Sequence, residues 1–266
     1  MTGTRLAVGL GGLAVLLPAI LFGGVPAVVI IVALAGLICI DEYARMAFPG
    51  EHQVHFAFLV LAIGAVFAST LWGGITAGAG AAAGAILASM AFVALRPGAT
   101  LEGAADRAGR LVLGLAWLSL LTVLPLLRSL DHGLMWVFLA LTIPWAGDTG
   151  AYFAGRTFGK HKMAPRVSPK KTWEGFAGGI TLSIVGVLIV RAVEGGTLGI
   201  VQSVLLGGLL SASSVVGDLS ESVLKRAFGV KDAGRILPGH GGILDRIDSL
   251  LFVAPLLYLY ASTFSG

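Results

Sequence analysis

Long apolar runs interrupted by short polar ones dominate this chain. Windows near residues 6–23, 25–40, 54–71, 74–95, 111–127, 134–154, 173–193, 198–222 and 244–264 each read as a span of a hydrocarbon layer roughly 30 Å thick. This pattern predicts an all-α polytopic membrane protein with about nine transmembrane helices. The first two windows lie close together around Gly23, Gly24 and Pro26. Arg5 ahead of an apolar stretch looks a little like a signal peptide, but further spans follow at once, so the first span is read as retained. The longest hydrophilic stretch, residues 155–172, is too short for a soluble catalytic domain, so an active site has to be built from helix ends. No polar linker divides the chain. It reads as one integral-membrane domain over 1–266, with N-terminal helices (1–130) as a lipid-facing scaffold and catalytic helices and loops over 134–266.

Charge gives the spans a direction. Of the 18 Lys and Arg residues, all but Arg128 and Arg191 fall in alternate segments, which the positive-inside rule makes cytoplasmic and the topology N-in/C-out. Composition agrees with a bilayer, since 56% of the residues are hydrophobic, 12% are charged, and mean hydropathy is +0.92. A net charge of +4 invites a nucleic-acid reading, but the basic residues sit between spans, where anionic lipid or a phosphorylated substrate meets them, and no nucleic-acid motif is present. The single cysteine, Cys39, lies in an apolar run and is read as core. Gly80 and Gly84 have the spacing that lets helices approach closely, with packing inside the chain favoured over a dimer face.

Polar residues at membrane depth are costly and usually functional, and here they form three clusters. In the first, Asp148 and Tyr152 share a helix face with Arg156 one turn on. Asp148 there binds a metal or a polar substrate, or else pairs with a neighbouring helix. In the second, Ser168, Lys170, Lys171 and Thr172 precede a helix whose N-terminus favours phosphate oxygens, although the lysines would also enforce topology on their own. Gly155-x-x-x-Gly159-Lys160 is one residue short of a P-loop, and His161 stands where Ser or Thr belongs.

The third cluster says most. Asp218, Ser222 and Lys225 are spaced along one helical stripe, Asp245 and Asp248 share a face, and the glycines of 238–242 let backbone amides approach a ligand. Acids on several helix ends, beside lysines and a glycine-rich turn, suit magnesium-dependent phosphoryl or nucleotidyl transfer. His240 has no second histidine or cysteine at metal-ligand spacing, which speaks against zinc; it bonds phosphate or braces the loop.

The run Ser222-x-x-Lys225-Arg226, then Lys231-Asp232, then Pro238-x-His240-Gly241-Gly242-x-x-Asp245-Arg246-x-Asp248 resembles the signature of phosphatidate cytidylyltransferases, also called CDP-diacylglycerol synthases. Residues 147–156 and 168–175 resemble the same family, so the likeness covers roughly 144–249, while the first 130 or so residues agree only in being apolar and multi-spanning. The resemblance implies a helical membrane enzyme of the cell inner membrane, dimeric and using Mg²⁺, that condenses CTP with phosphatidate on the cytoplasmic side. On that reading Asp218, Lys225, Asp245 and Asp248 are catalytic, and Asp148, Asp218, Asp245 and Asp248 hold metal, with room for a second cation. Ser168, Lys170, Lys171, Thr172, Ser222, Arg226, Lys231, His240, Gly241, Gly242 and Arg246 bind substrate. Two other readings stay open: a CTP-dependent kinase or cytidylyltransferase for another lipid, and an ion-coupled transporter, against which the crowding of polar residues at one face argues.

Overall fold

The structure, a computed structural model, describes residues 2–96, 101–237 and 241–264. Its helices are α1 (Thr2–Phe22), α2 (Gly24–Ala47), α3 (His52–Leu95), α4 (Ala104–Leu118), α5 (Val123–Ser129), α6 (Gly133–Phe158), α7 (Trp173–Val193), α8 (Ile200–Ala227), α9 (Leu244–Ile247) and α10 (Leu250–Phe264). A 3-10 turn, Ser119–Thr122, joins α4 to α5. Among the described residues, six segments are long and apolar enough to cross a membrane: α2, α3, 104–129, α7, α8 and 244–264. The chain is therefore an all-α, multi-pass membrane protein.

The windows 54–71 and 74–95 fall within the single element α3, and the backbone shows how they become two helices. Gly74 adopts φ 71° and ψ −171°, a conformation open to glycine and closed to residues with a Cβ. The chain reverses there, so that a Cβ on Gly78 would collide with Thr70, eight residues earlier. The far ends of α3 meet as well: Arg96 Nη1 lies 2.8 Å from Glu51 Oε2, and the Phe92 and Phe58 rings stack at 4.6 Å. Thus α3 is an antiparallel hairpin of helices.

Gly80 and Gly84, on the second arm of that hairpin, have nothing among the described residues, beyond their own turn of helix, within 4 Å of where a Cβ would stand. The packing within the chain that their spacing suggested is not what they do. Close helix packing occurs instead between α6 and α7. A Cβ on Gly150 would strike the Gly178 carbonyl, one on Gly178 the Ala154 methyl, and one on Gly179 the Gly147 carbonyl. With only hydrogens in the seam, the two backbones touch, as small-residue interfaces in membranes allow. Ser183 Oγ donates to the Ile143 carbonyl at 2.8 Å and lies 3.1 Å from Ser211 Oγ, which ties α6, α7 and α8 together and satisfies this buried hydroxyl.

The core joins the two halves of the chain. Leu111, Leu115, Leu118 and Leu127 belong to the same buried cluster as Trp136, Leu139, Ile143, Val253 and Leu257. Gly217 of α8 lets the start of α10 approach until the Asp248 carbonyl and the Phe252 ring are in contact. These close crossings bring the polar ends of α2, α6, α8 and α9 to one end of the bundle.

Candidate active site

Most of the hydrophilic stretch after α6 forms a hairpin of two short strands, β1 (Lys162–Ala164) and β2 (Ser168–Thr172), paired antiparallel with Lys162 opposite Thr172 and Ala164 opposite Ser168. Thr172 ends β2 in an extended conformation and caps α7, its Oγ1 accepting from Gly175 N at 3.1 Å. Trp173 N donates to the His161 carbonyl at 3.0 Å. Glu174 accepts from Lys160 N at 3.1 Å and His161 N at 3.2 Å, and it pairs with His161 Nδ1 at 2.6 Å. Two first-turn donors of α7 are thus already engaged, and Thr172 is buried as a cap rather than held open to a ligand. Ser168 is half-buried in β2 and Lys170 is exposed.

Lys171 reaches the opposite way. Its Nζ lies 2.8 Å from Asp218 Oδ2, which ties the hairpin to the middle of α8's polar turn. Ser222 Oγ is 3.4 Å from Asp218 Oδ1. Asp148 is exposed on α6, and the carboxylates of Asp148, Asp218 and Asp248 lie within electrostatic reach of one another, as do Lys171 and Arg246 of Asp148. Asp248 is buried, with Oδ1 taking the Ser249 amide at 2.6 Å. Helices α6 and α8 and the turn between α9 and α10 thus contribute one acid each to this half of the site.

Lys225 does not extend the Asp218 stripe, as its spacing suggested; it turns to a second one. It forms an ion pair with Glu221 one helical turn back and another with Asp245 Oδ1 at 2.6 Å. Asp245 in turn accepts Gly242 N at 2.8 Å and Ala233 N at 3.0 Å. Both oxygens of Asp245 are therefore engaged by the chain's own donors. A carboxylate so occupied holds the lysine and the loop in place. Glu221 is wholly enclosed, and its Oε1 has no partner among the described residues, although Asp248 is within electrostatic reach.

Gly241 has φ +80° and presses on the Asp245 carboxylate, and Gly242 is buried beside it. Arg226, Lys231 and Arg246 are exposed around the rim, with Arg226 Nη1 donating to the Val230 carbonyl at 3.1 Å. His240 lies outside the described residues. Among the described residues, no three Asp, Glu, His or Cys side chains are gathered closely enough to hold an ion by themselves.

Two acids that carried no role in the sequence reading belong here. Glu221 was legible as the residue one turn before Lys225. Glu42 of α2 was not: it lies 3% exposed and accepts Ile243 N at 3.1 Å and Leu244 N at 2.8 Å, from the far end of the chain.

A family model described as "Cytidylyltransferase family" matches residues 3–264. The phosphatidate cytidylyltransferase of Bacillus subtilis (strain 168) is 49% identical over 140 residues, 52% of this chain and 52% of that protein. The protein of the same name from Staphylococcus epidermidis is 52% identical over 127 residues, covering 48% and 49%, and that of Haemophilus influenzae 46% over 134 residues, covering 48% and 46%. The chain spans about half the length of the curated relatives it matches.

Proposed function

The chain belongs to the cytidylyltransferase family, and from that membership we propose that it transfers CMP from CTP to phosphatidate, giving CDP-diacylglycerol and pyrophosphate. The observation that carries the proposal is the convergence of Asp148, Asp218 and Asp248 with Lys171, Lys225 and Arg246 at one end of the bundle. An oxygen of the phosphatidate phosphate attacks the α-phosphorus of CTP, and the bond from that phosphorus to the bridging oxygen breaks as pyrophosphate leaves. The attacking oxygen arrives ionised, so no general base is required. Catalysis reduces to positioning and charge neutralisation.

The residues fit a magnesium ion. Mg²⁺ is usually held by one or two carboxylates together with substrate phosphates and water, so a fully closed protein cage is not needed. One or two of Asp148, Asp218 and Asp248 would hold it together with substrate phosphates, beside Glu221 Oε1, which has no partner among the described residues, and a second cation would have acids to draw on. When bound, it neutralises charge on the phosphates. Lys171 and Asp218 now satisfy each other at 2.8 Å; on substrate binding Lys171 turns to phosphate oxygens. Lys225, buried between Glu221 and Asp245, is a fixed cation behind the site. Lys170, Arg226, Lys231 and Arg246 supply positive charge at the rim, with Gly241 and Gly242 in the loop, while Ser222 orients Asp218.

The same reading sets nine crossings, the α3 hairpin providing two, with the N-terminus and the site facing the cytoplasm across the inner membrane. Support comes from the 16 basic residues assigned to that face out of 18. A homodimer would use a face such as that of Gly80 and Gly84, which nothing among the described residues covers.

The test is to incubate purified protein with phosphatidate, Mg²⁺ and CTP carrying label in either the α- or the γ-phosphate. Label from the α position in extracted lipid, dependent on phosphatidate, is the expected result. Transfer from the γ position instead would make the protein a lipid kinase, and no transfer, where a known cytidylyltransferase works, would end the substrate assignment.

A further inference from the structure

Three consecutive amides, those of Gly242, Ile243 and Leu244, are each taken by a carboxylate. Asp245 takes the first at 2.8 Å, and Glu42 takes the second and third at 3.1 and 2.8 Å. The chain wraps Glu42 so closely that a Cβ on either Gly234 or Gly242 would run into its carboxylate. The neighbouring Tyr43 does the same for the other end of this loop. Its ring meets Phe228 edge-on at 6.2 Å, its hydroxyl donates to the Arg110 carbonyl at 2.6 Å, and the Arg110 guanidinium lies 5.2 Å from the centre of the Phe228 ring. Phe228 caps α8, and Leu244 opens α9. The cytoplasmic end of α2 therefore holds the connection between the two catalytic helices at both of its ends.

We infer that Glu42 is a positioning residue for the transfer reaction: it fixes the Gly242–Leu244 backbone, and through it the Asp245 carboxylate that holds Lys225. This inference rests on the proposed activity, and it places an essential contact in the N-terminal half, to which the signature motif assigns nothing. Hydrogen bonds to a buried charged group are worth more than neutral ones, and a glutamine in its place keeps one acceptor while turning a donor toward a donor. Displacing catalytic groups by about 1 Å costs on the order of 100-fold in rate.

The experiment compares the full-length wild type with Glu42→Gln, Glu42→Asp and, as control, Asp41→Asn, whose carboxylate faces Arg45 and His52 instead of the loop. Amide hydrogen exchange is followed by mass spectrometry, alongside steady-state kinetics. In Glu42→Gln, peptides covering 233–244 are expected to exchange about tenfold faster or more, with other segments unchanged. Turnover is expected to fall about 100-fold, and the KM for CTP to rise more than that for phosphatidate, because a displaced loop alters nucleotide binding. Glu42→Asp is expected to recover part of both effects, and Asp41→Asn to show neither. Loss of folded enzyme would lower only the maximal rate, leaving both KM values unchanged, and that outcome, or uniformly faster exchange, overturns the inference. Exchange does not depend on turnover, so an inactive wild type would count against the proposed activity while Glu42's hold on the loop is still tested.

Discussion

Lys225 is 11% exposed and is paired with Glu221, which is 0% exposed, and Asp245, which is 7% exposed. One cation thus serves two buried carboxylates, and Glu221 Oε1 has no partner among the described residues. Replacing Lys225 with methionine leaves both acids facing each other without a cation. Removing one partner from a buried pair costs about 3–5 kcal/mol. At about 2–4 °C per kcal/mol for a chain of this size, the midpoint of thermal unfolding should drop by roughly 6–20 °C. Glu221→Gln alone removes an ill-satisfied charge while Lys225 keeps Asp245, so it should be neutral or stabilising by about 1–2 kcal/mol. In the double variant only Asp245 stays charged, still bonded to the Ala233 and Gly242 amides, and the cost of losing the lysine should shrink to about 1–2 kcal/mol. The four proteins form a double-mutant cycle, read by thermal unfolding in one detergent without divalent cations. If Lys225→Met costs the same with and without Glu221, the buried triad is not what holds this part of the site.

Other outcomes follow from the same geometry. Magnesium at about 100 times its dissociation constant should stabilise the wild type by about 2.7 kcal/mol, seen as a rise in unfolding temperature, and Asp218→Asn should lose most of that rise. Gly150→Ala puts a methyl into the Gly178 carbonyl and should cost about 1–3 kcal/mol, whereas Gly109→Ala meets open space on a helix and should gain up to about 1 kcal/mol; unfolding temperatures of the pair check both signs. Thr172→Ala should lose about 1 kcal/mol through the missing cap on α7, with Thr172→Ser restoring most of it in the same assay.

The membrane-spanning pattern was legible because a hydrocarbon layer leaves a long trace, and even the turn at Gly74 coincides with the start of the second of two separate apolar windows. The acids of α8 and α9 were legible from spacing along helices. Partner choice was not. Helical spacing put Lys225 on the Asp218 stripe, but Asp245 arrives from across the loop and takes it, while Lys171 of β2 takes Asp218. The β1–β2 hairpin escaped notice because three- and five-residue strands leave no periodicity in a stretch of lysines, glycines and prolines. Glu42 escaped because its partners are backbone amides some 200 positions away, and an amide has no letter in the sequence. The glycines of α6 and α7 carried no reading in the sequence, because the close approach they allow depends on which helices meet.

The distance along the chain between Glu42 and its amides has a consequence for how the protein is made. Glu42 leaves the ribosome 201 and 202 residues ahead of Ile243 and Leu244. At about 5–20 residues per second, that is an interval on the order of 10–40 s in which the carboxylate has no backbone to hold. It sits only five residues before the end of α2, near the aqueous boundary, where water can serve it in the meantime. Until residues 243 and 244 have been made, no nascent chain can form the contact that holds this loop, so the site's geometry is completed late in synthesis.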